Sequence, residues 1–304
     1  MSPDEIGRWS AAVRDGGSGP FQLNMWIPDT DTAADPQVLA AQTRFLRGWT
    51  EKIGTPGDGS HPLFAEQFGA MLAARPAAIS SIMGTYPASY VAEMKARRIP
   101  WFATATTVRE ARAAAEAGAE VIIAQGAEAG GHRGSFNPDS SEREQCGLFA
   151  LLPAIVDAVE IPVIAAGGIA DARGVAAAFM LGAAAIQIGT GFLRAAESNI
   201  PDAWKGALAA AQPEDTMLTR IFTGRCGRAL ATDLVHGAAA PDAPPALPHP
   251  LQRTLTRPMT FRAKQAGDIS RMQAWSGQSA HLAQAASART IAQSIWEEAV
   301  ELLR

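Results

Sequence analysis

A chain of 304 residues that is 47% apolar and 18% charged has material for one large or two smaller soluble domains and is too apolar for a disordered protein. Its net charge of −4 argues against a nucleic-acid partner, and no apolar run reaches the ~18–20 residues needed to span a membrane. The two cysteines, Cys146 and Cys226, have no metal or redox spacing, and no export segment opens the chain, so a reduced cytoplasmic enzyme is the expectation.

Ser2-Pro3-Asp4-Glu5 is a helix start, with a capping hydroxyl, a proline in the first turn and two acids at the positive helix end. The helix is expected to run to about 15. A strand over 21–27 (FQLNMWI), a helix over 35–52, a loop over 54–62 and a helix over 63–74 follow. Then come a strand at 77–83, a helix at 89–98, a strand at 101–106, a helix at 108–117 and a strand at 120–125. Residues 134–146 are polar and irregular. A helix over 148–159, a strand at 162–166, a helix capped by Asp171 and reaching about 181, and a strand at 185–188 complete the series. Short apolar strands alternating with helices predict βα units around a parallel sheet buried on both faces. The fold class expected is α/β, a TIM (β/α)8-type barrel, with an open doubly wound sheet as its rival. Past 196 the rhythm breaks. The domain reading is a βα barrel over 1–196, with an amphipathic helix over 280–304 packed on it through Leu282, Ile291, Ile295 and Leu302. An inserted segment over 197–278 carries an extended Pro/Ala-rich stretch at 238–250.

Glycines and polar residues gather just after the strand ends. Strand 120–125 runs into Gly126-Ala127-Glu128-Ala129-Gly130-Gly131-His132-Arg133-Gly134. Small residues let a flat ligand approach the backbone, and an imidazole there exchanges protons near neutral pH; the bland alternative is a solvated turn histidine. Glu128 has two readings, orienting His132 or a solvated acid. Gly167-Gly168 and Gly189-Thr190-Gly191 end two consecutive strands, where barrels commonly build a phosphate site from backbone N–H groups. Neither turn matches the dinucleotide fingerprint, so a mononucleotide suits them better. Asn24 and Gln125 are amides in apolar strands. Each is either a flavin-edge partner or a buried amide satisfied by backbone. His61, His236, His249 and His281 fall in surface segments and receive no role.

The stretches AQGAEAGGHRG, PVIAAGGI, AIQIGTGFL, FTGRCGRAL, HPLQRTLTRPM and WSGQ resemble the nitronate monooxygenases, and FMN-dependent enoyl and quinone reductases share parts of the pattern. The resemblance implies a TIM barrel that binds FMN without a metal. It implies flavin contacts at Asn24, Gln125, Gly130, Gly167, Gly189, Thr190 and Gly191, and makes His132 the catalytic residue. Family members open with a strand reading roughly P-I-x-x-A-P-M-[AG]-G, then a helix and a second strand. Here Met1 to Glu5 resemble the segment after that second strand. A barrel lacking its first two strands is therefore expected, with an open edge that bares Leu23 and Met25.

The function implied is FMN-dependent oxidation of alkyl nitronates or nitroalkanes by O2 to a carbonyl compound and nitrite. The partners implied are a small-molecule substrate and O2, with no nucleic acid and no membrane. His132, with a pKa near 6–7, would remove the α-proton or bind the nitro oxygens. The alternatives are an FMN-dependent NAD(P)H reductase of quinones or enoyl thioesters, and a truncated barrel without catalysis.

Overall fold

A computed structural model describes residues 1–17, 19–29, 33–55 and 63–304. Most of the loop expected over 54–62, with His61, lies outside the described residues. Helix α1 (Pro3–Gly16) begins as its sequence predicts: the Ser2 hydroxyl accepts from Glu5 N at 3.2 Å while the Glu5 carboxylate accepts from Ser2 N at 2.7 Å. Strand β1 (Gln22–Trp26) and helix α2 (Pro36–Arg47), capped by Asp35, follow. Next come α3 (Phe64–Ala73), β2 (Ala78–Ile82), α4 (Ala88–Ala96), β3 (Trp101–Ala105), α5 (Val108–Glu116) and β4 (Val121–Gln125). After the two-residue strand β5 (Gly131–His132) the alternation resumes with α6 (Leu148–Val156), β6 (Val163–Ala166), α7 (Ala172–Met180) and β7 (Ala185–Gln187). Thr107 and Asp171 cap α5 and α7 by accepting from Glu110 N and Gly174 N, both at 3.1 Å.

The six long strands of this series form one curled parallel sheet in the order β1-β2-β3-β4-β6-β7. It is a half-barrel: β1 and β7 are its edges and each has one partner among the described residues. Leu23 and Met25 are buried, contrary to the open-edge expectation. They alternate with Gln22, Asn24 and Trp26, so they face the helix layer, in one cluster with Ile6, Phe68, Met71 and Leu72. What the open edges bare is polar and on the inner face: Asn24 on β1 and Gln187 on β7 are exposed.

Past the last parallel strand, helix α8 (Asp202–Ala210) leads into β8 (Thr216–Thr219) and β9 (Gly227–Leu230), then α9 (Asp233–Ala238) and α10 (Leu251–Ala266). Strands β8 and β9 are antiparallel, and β9 also pairs with β5, which leaves the barrel loop to reach it. Neither this ribbon nor α10 is expected from the sequence. Helix α2 is shorter than expected, and its Leu46 is buried against Ile221, Phe222, Leu234 and Leu255 of this region. The last helix, α11 (Ala288–Leu302), starts eight residues later than expected because Ser287 caps it, accepting from Thr290 N. Ile291 and Ile295 are buried as expected, whereas Leu302 is exposed and Leu282 belongs to a separate 3-10 turn.

Candidate active site

The parallel strands end on one rim, and the chemistry-bearing residues lie along it. Trp26 ends β1, Gln125 ends β4, Gly167 and Gly168 follow β6, and Gly189 to Gly191 follow β7. Gln125 is buried, and its amide braces the glycine loop from below: Nε2 donates to the His132 carbonyl at 3.0 Å and Oε1 accepts from Gly134 N at 2.8 Å. Arg133, also buried, donates to the Gln125 carbonyl at 2.6 Å. These contacts turn the backbone so that Gly131 and His132 pair with Arg228 and Gly227 of β9.

That pairing fixes the His132 ring. It packs against Trp26 with centroids 4.5 Å apart, against Trp275 at 4.8 Å, and its Nε2 lies 2.8 Å from the Thr223 hydroxyl. Trp275 reaches the ribbon because Gly227 has no Cβ; one would stand 2.9 Å from the indole Cζ3 and 2.9 Å from the Gly131 carbonyl. Burial among these rings, then the neighbouring His249, Arg253 and Arg225, hold the His132 pKa down at about 3. The ring is therefore neutral at physiological pH, and the value of 6–7 expected from the sequence is corrected.

Glu128 takes neither role open to it. Both carboxylate oxygens accept from Leu148 N, at 2.9 and 3.0 Å, at the positive end of α6. Asn24 is exposed on the inner face, where its Oδ1 accepts from the Ser80 hydroxyl at 2.8 Å, so the buried-amide alternative does not hold. The glycine turns converge with a fourth segment. A Cβ on Gly130 would stand 2.3 Å from Gly277 N and 2.9 Å from the Thr190 hydroxyl. Gly277 N donates to that hydroxyl at 2.9 Å, and Gln278 N donates to the Glu128 carbonyl at 3.0 Å. Gly167 and Gly168 adopt φ of +103° and +72°, a region side chains disfavour, and a Cβ on Gly167 would meet Ala129 at 2.9 Å. Gly191 packs on Ala170 and Ile188, whereas a Cβ on Gly189 would have no protein atom within 4 Å.

The structure thus sets Gly130 against Thr190, packs Gly167 and Gly168 on Ala129 and Glu128 of the same loop and Gly191 on Ala170, and leaves Gly189 bordering open space. Asn24 stands apart on the edge strand. Sequence reading passed over Thr223, Trp26, Trp275, Gly277 and His249. His249 packs on Trp26 with centroids 5.2 Å apart rather than lying on a bare surface. The motifs FTGRCGRAL and WSGQ held Thr223 and Trp275, but no local spacing ties either residue to His132. Two surface cavities lie elsewhere, one of about 510 Å³ beside Arg47, Trp49 and Arg262 and one of about 310 Å³ beside Arg109, Arg143 and Cys146. No cluster of three metal-binding side chains occurs among the described residues.

Comparisons with known proteins place the chain in a family. The nitronate monooxygenase family model matches residues 1–298. A probable nitronate monooxygenase of Staphylococcus saprophyticus is 31% identical over 294 residues, covering 93% of this chain and 81% of the relative. One from Staphylococcus aureus is 38% identical over 219 residues, covering 70% of this chain and 60% of the relative. Among solved structures, nitroalkane oxidase from Streptomyces ansochromogenes superposes with a TM-score of 0.91 at 31% identity, covering 99% of this chain and 86% of that one. FabK from Thermotoga maritima superposes with a TM-score of 0.75 at 26% identity, covering 100% and 83%. The parallel half-barrel, the glycine-lined rim with its histidine and these matches together lead to one conclusion: this chain belongs to the nitronate monooxygenase family of oxidoreductases.

Proposed function

We propose that the chain uses FMN to oxidise alkyl nitronates, or the nitroalkanes that yield them, with O2, giving a carbonyl compound and nitrite. The observation that carries this reading is a neutral histidine held between two indole rings at the C-terminal rim of the parallel sheet. The close structural likeness to a nitroalkane oxidase supports a nitro substrate.

The rim fits a flavin mononucleotide on two counts. Three glycine turns meet there, and the backbone at Gly189 borders space free of protein atoms, as a phosphate needs. Gly167, Gly168, Gly189, Thr190 and Gly191 would hold the phosphate and Asn24 would border the ring, while Gln125, its amide spent on loop backbone, and Gly130, packed on Gly277 and Thr190, would shape the loop beside it. Bound there, FMN would accept the substrate's electrons and pass them to O2. The protein's part is binding, orientation and proton handling. A neutral His132 accepts the α-proton of a nitroalkane, and the nitronate anion left beside it raises the imidazole's affinity for that proton. With a preformed nitronate no proton need be removed, and the histidine's task is to hydrogen-bond the nitro oxygens. Trp26 and Trp275 limit water around the ring. In this reading residues 197–278 cover the substrate side of a barrel made by 1–196 and 279–304. Strand β9 and Trp275 bring that cover onto His132.

The test is the visible spectrum of the purified protein, followed by anaerobic mixing with an alkyl nitronate and, separately, with NADH. Flavin absorbance that bleaches with the nitronate supports the proposal. Bleaching with NADH alone replaces it with the reductase reading.

A further inference from the structure

The Thr223 hydroxyl sits between two groups. His132 Nε2 is 2.8 Å away, and the Arg225 carbonyl, which the hydroxyl donates to, is 3.3 Å away. Thr223 and Arg225 are both buried, so their polar atoms need partners inside the protein. A threonine hydroxyl has one proton, and its destination fixes the proton on the imidazole.

Two arrangements are possible. In the first, the threonine donates to Nε2, and the ring's single proton sits on Nδ1. The buried Arg225 carbonyl then loses its only donor among the described residues. In the second, Nε2–H donates to the threonine oxygen and the threonine donates to the Arg225 carbonyl. Every donor is then used, and the one free site is the Nδ1 lone pair. A buried carbonyl left without a donor is destabilised, and only the first arrangement leaves the Arg225 carbonyl that way, so the second is favoured.

We propose that Thr223 is a positioning residue that holds His132 in its Nε2–H form and so makes Nδ1 the nitrogen that takes the substrate proton. The inference deepens the proposed function and rests on His132 as the proton acceptor. The step balances. The substrate C–H bond breaks, its electron pair stays on the substrate as the nitronate, and the proton joins Nδ1. The imidazolium keeps donating from Nε2 to Thr223. Gly224, with φ of +86°, makes the turn that brings Thr223 back toward the Arg225 carbonyl.

The test reads the tautomer directly. Long-range ¹H–¹⁵N correlation of the histidine rings at pH 7, with the His132 signals identified by their loss in His132→Asn, distinguishes a bare Nδ1 from a bare Nε2. The wild-type protein and Thr223→Ser should show Nε2–H alone. Thr223→Val has nearly the same shape and should show Nδ1–H or a mixture. In the flavin-loaded enzyme, kcat on a neutral nitroalkane should fall about 10- to 100-fold in the valine variant with little change in KM, and serine should restore it. That fall is smaller than the ~10²–10⁴ for losing the whole base. A wild-type Nδ1–H form, or a valine variant with the wild-type tautomer, overturns the inference. A protein with the expected tautomers that leaves nitroalkanes untouched sinks the proposed reaction and still supports the control of the ring by Thr223.

Discussion

Gly277 N–H donates to the Thr190 hydroxyl at 2.9 Å across 87 residues of chain. The contact ties the segment before the last helix to the turn after the last parallel strand, and Gly130 is wedged between them with no room for a Cβ. The glycines of this rim therefore serve two ends. Some exist because protein backbone approaches them closely, and Gly189 borders space.

That division decides which glycine probes the cofactor. A side chain at Gly167 would strike Ala129 and strain a backbone at φ of +103°, so its loss would damage the fold whatever binds there. Gly189 has φ of −103°, which other residues adopt, and room for a Cβ. Gly189→Val should melt within about 1 kcal/mol of the parent in urea and lose FMN, measured by absorbance after gel filtration. A variant that keeps stoichiometric FMN would remove Gly189 from the phosphate site.

His132→Asn should keep flavin and lose activity on neutral nitroalkanes by about 100-fold or more. Activity on the preformed nitronate should fall less, because no C–H bond has to be broken. Steady-state assays on the two forms of one substrate provide the comparison, and equal losses would make His132 a binding group only.

The low pKa of His132 links stability to acid. The imidazole titrates at about 3 in the folded chain and near 6.5 when unfolded, so between these values the unfolded state binds the extra proton. The stabilisation is complete above pH 6.5 and is lost as pH falls toward 3. His132→Asn should remove this part of the acid sensitivity, so denaturant midpoints at pH 7 and pH 4.5 should lie closer together in the variant. Parallel shifts in the two proteins would show that the ring is not held neutral.

Arg225 is almost fully buried, and it is paired with Asp29 just past β1. Its Nε donates to Asp29 Oδ2 at 2.8 Å, its Nη2 to Oδ1, and its Nη1 to the Ser135 carbonyl at 3.1 Å. Removing one partner of a buried pair leaves a charge unpaired, which costs about 3–5 kcal/mol. The Asp29 side chain is 23% exposed, so water offsets part of that cost. Asp29→Asn should destabilise the fold by about 2–3 kcal/mol in urea melts. Arg225→Met, which removes the buried charge itself, should cost less. The reverse ranking would mean that the ion pair does not bind β1 to the 223–227 turn.

Much of this protein was legible in its sequence. Strand runs such as VIIAQ and PVIAA, caps such as Ser2 and Asp171, and the glycines after β2, β4, β6 and β7 are local signals. They act within a few residues of where they are written, and they were enough for the parallel sheet, its helices and the rim that carries His132. Tertiary structure alone decided the rest. The burial of Leu23 and Met25 depends on which face of β1 the helices cover. The ribbon of β5, β9 and β8 depends on the chain returning to the barrel loop. Glu128 became the partner of the α6 terminus rather than of its neighbour His132. Thr223 lies 91 residues from the ring it touches, and the imidazole pKa is lowered first by burial and then by His249, Arg253 and Arg225, all far from it in sequence. Periodicity and caps report the energies of a turn or a strand. A side chain's partner and its proton are set by groups that meet only after the chain has folded back on itself, and no local pattern records them.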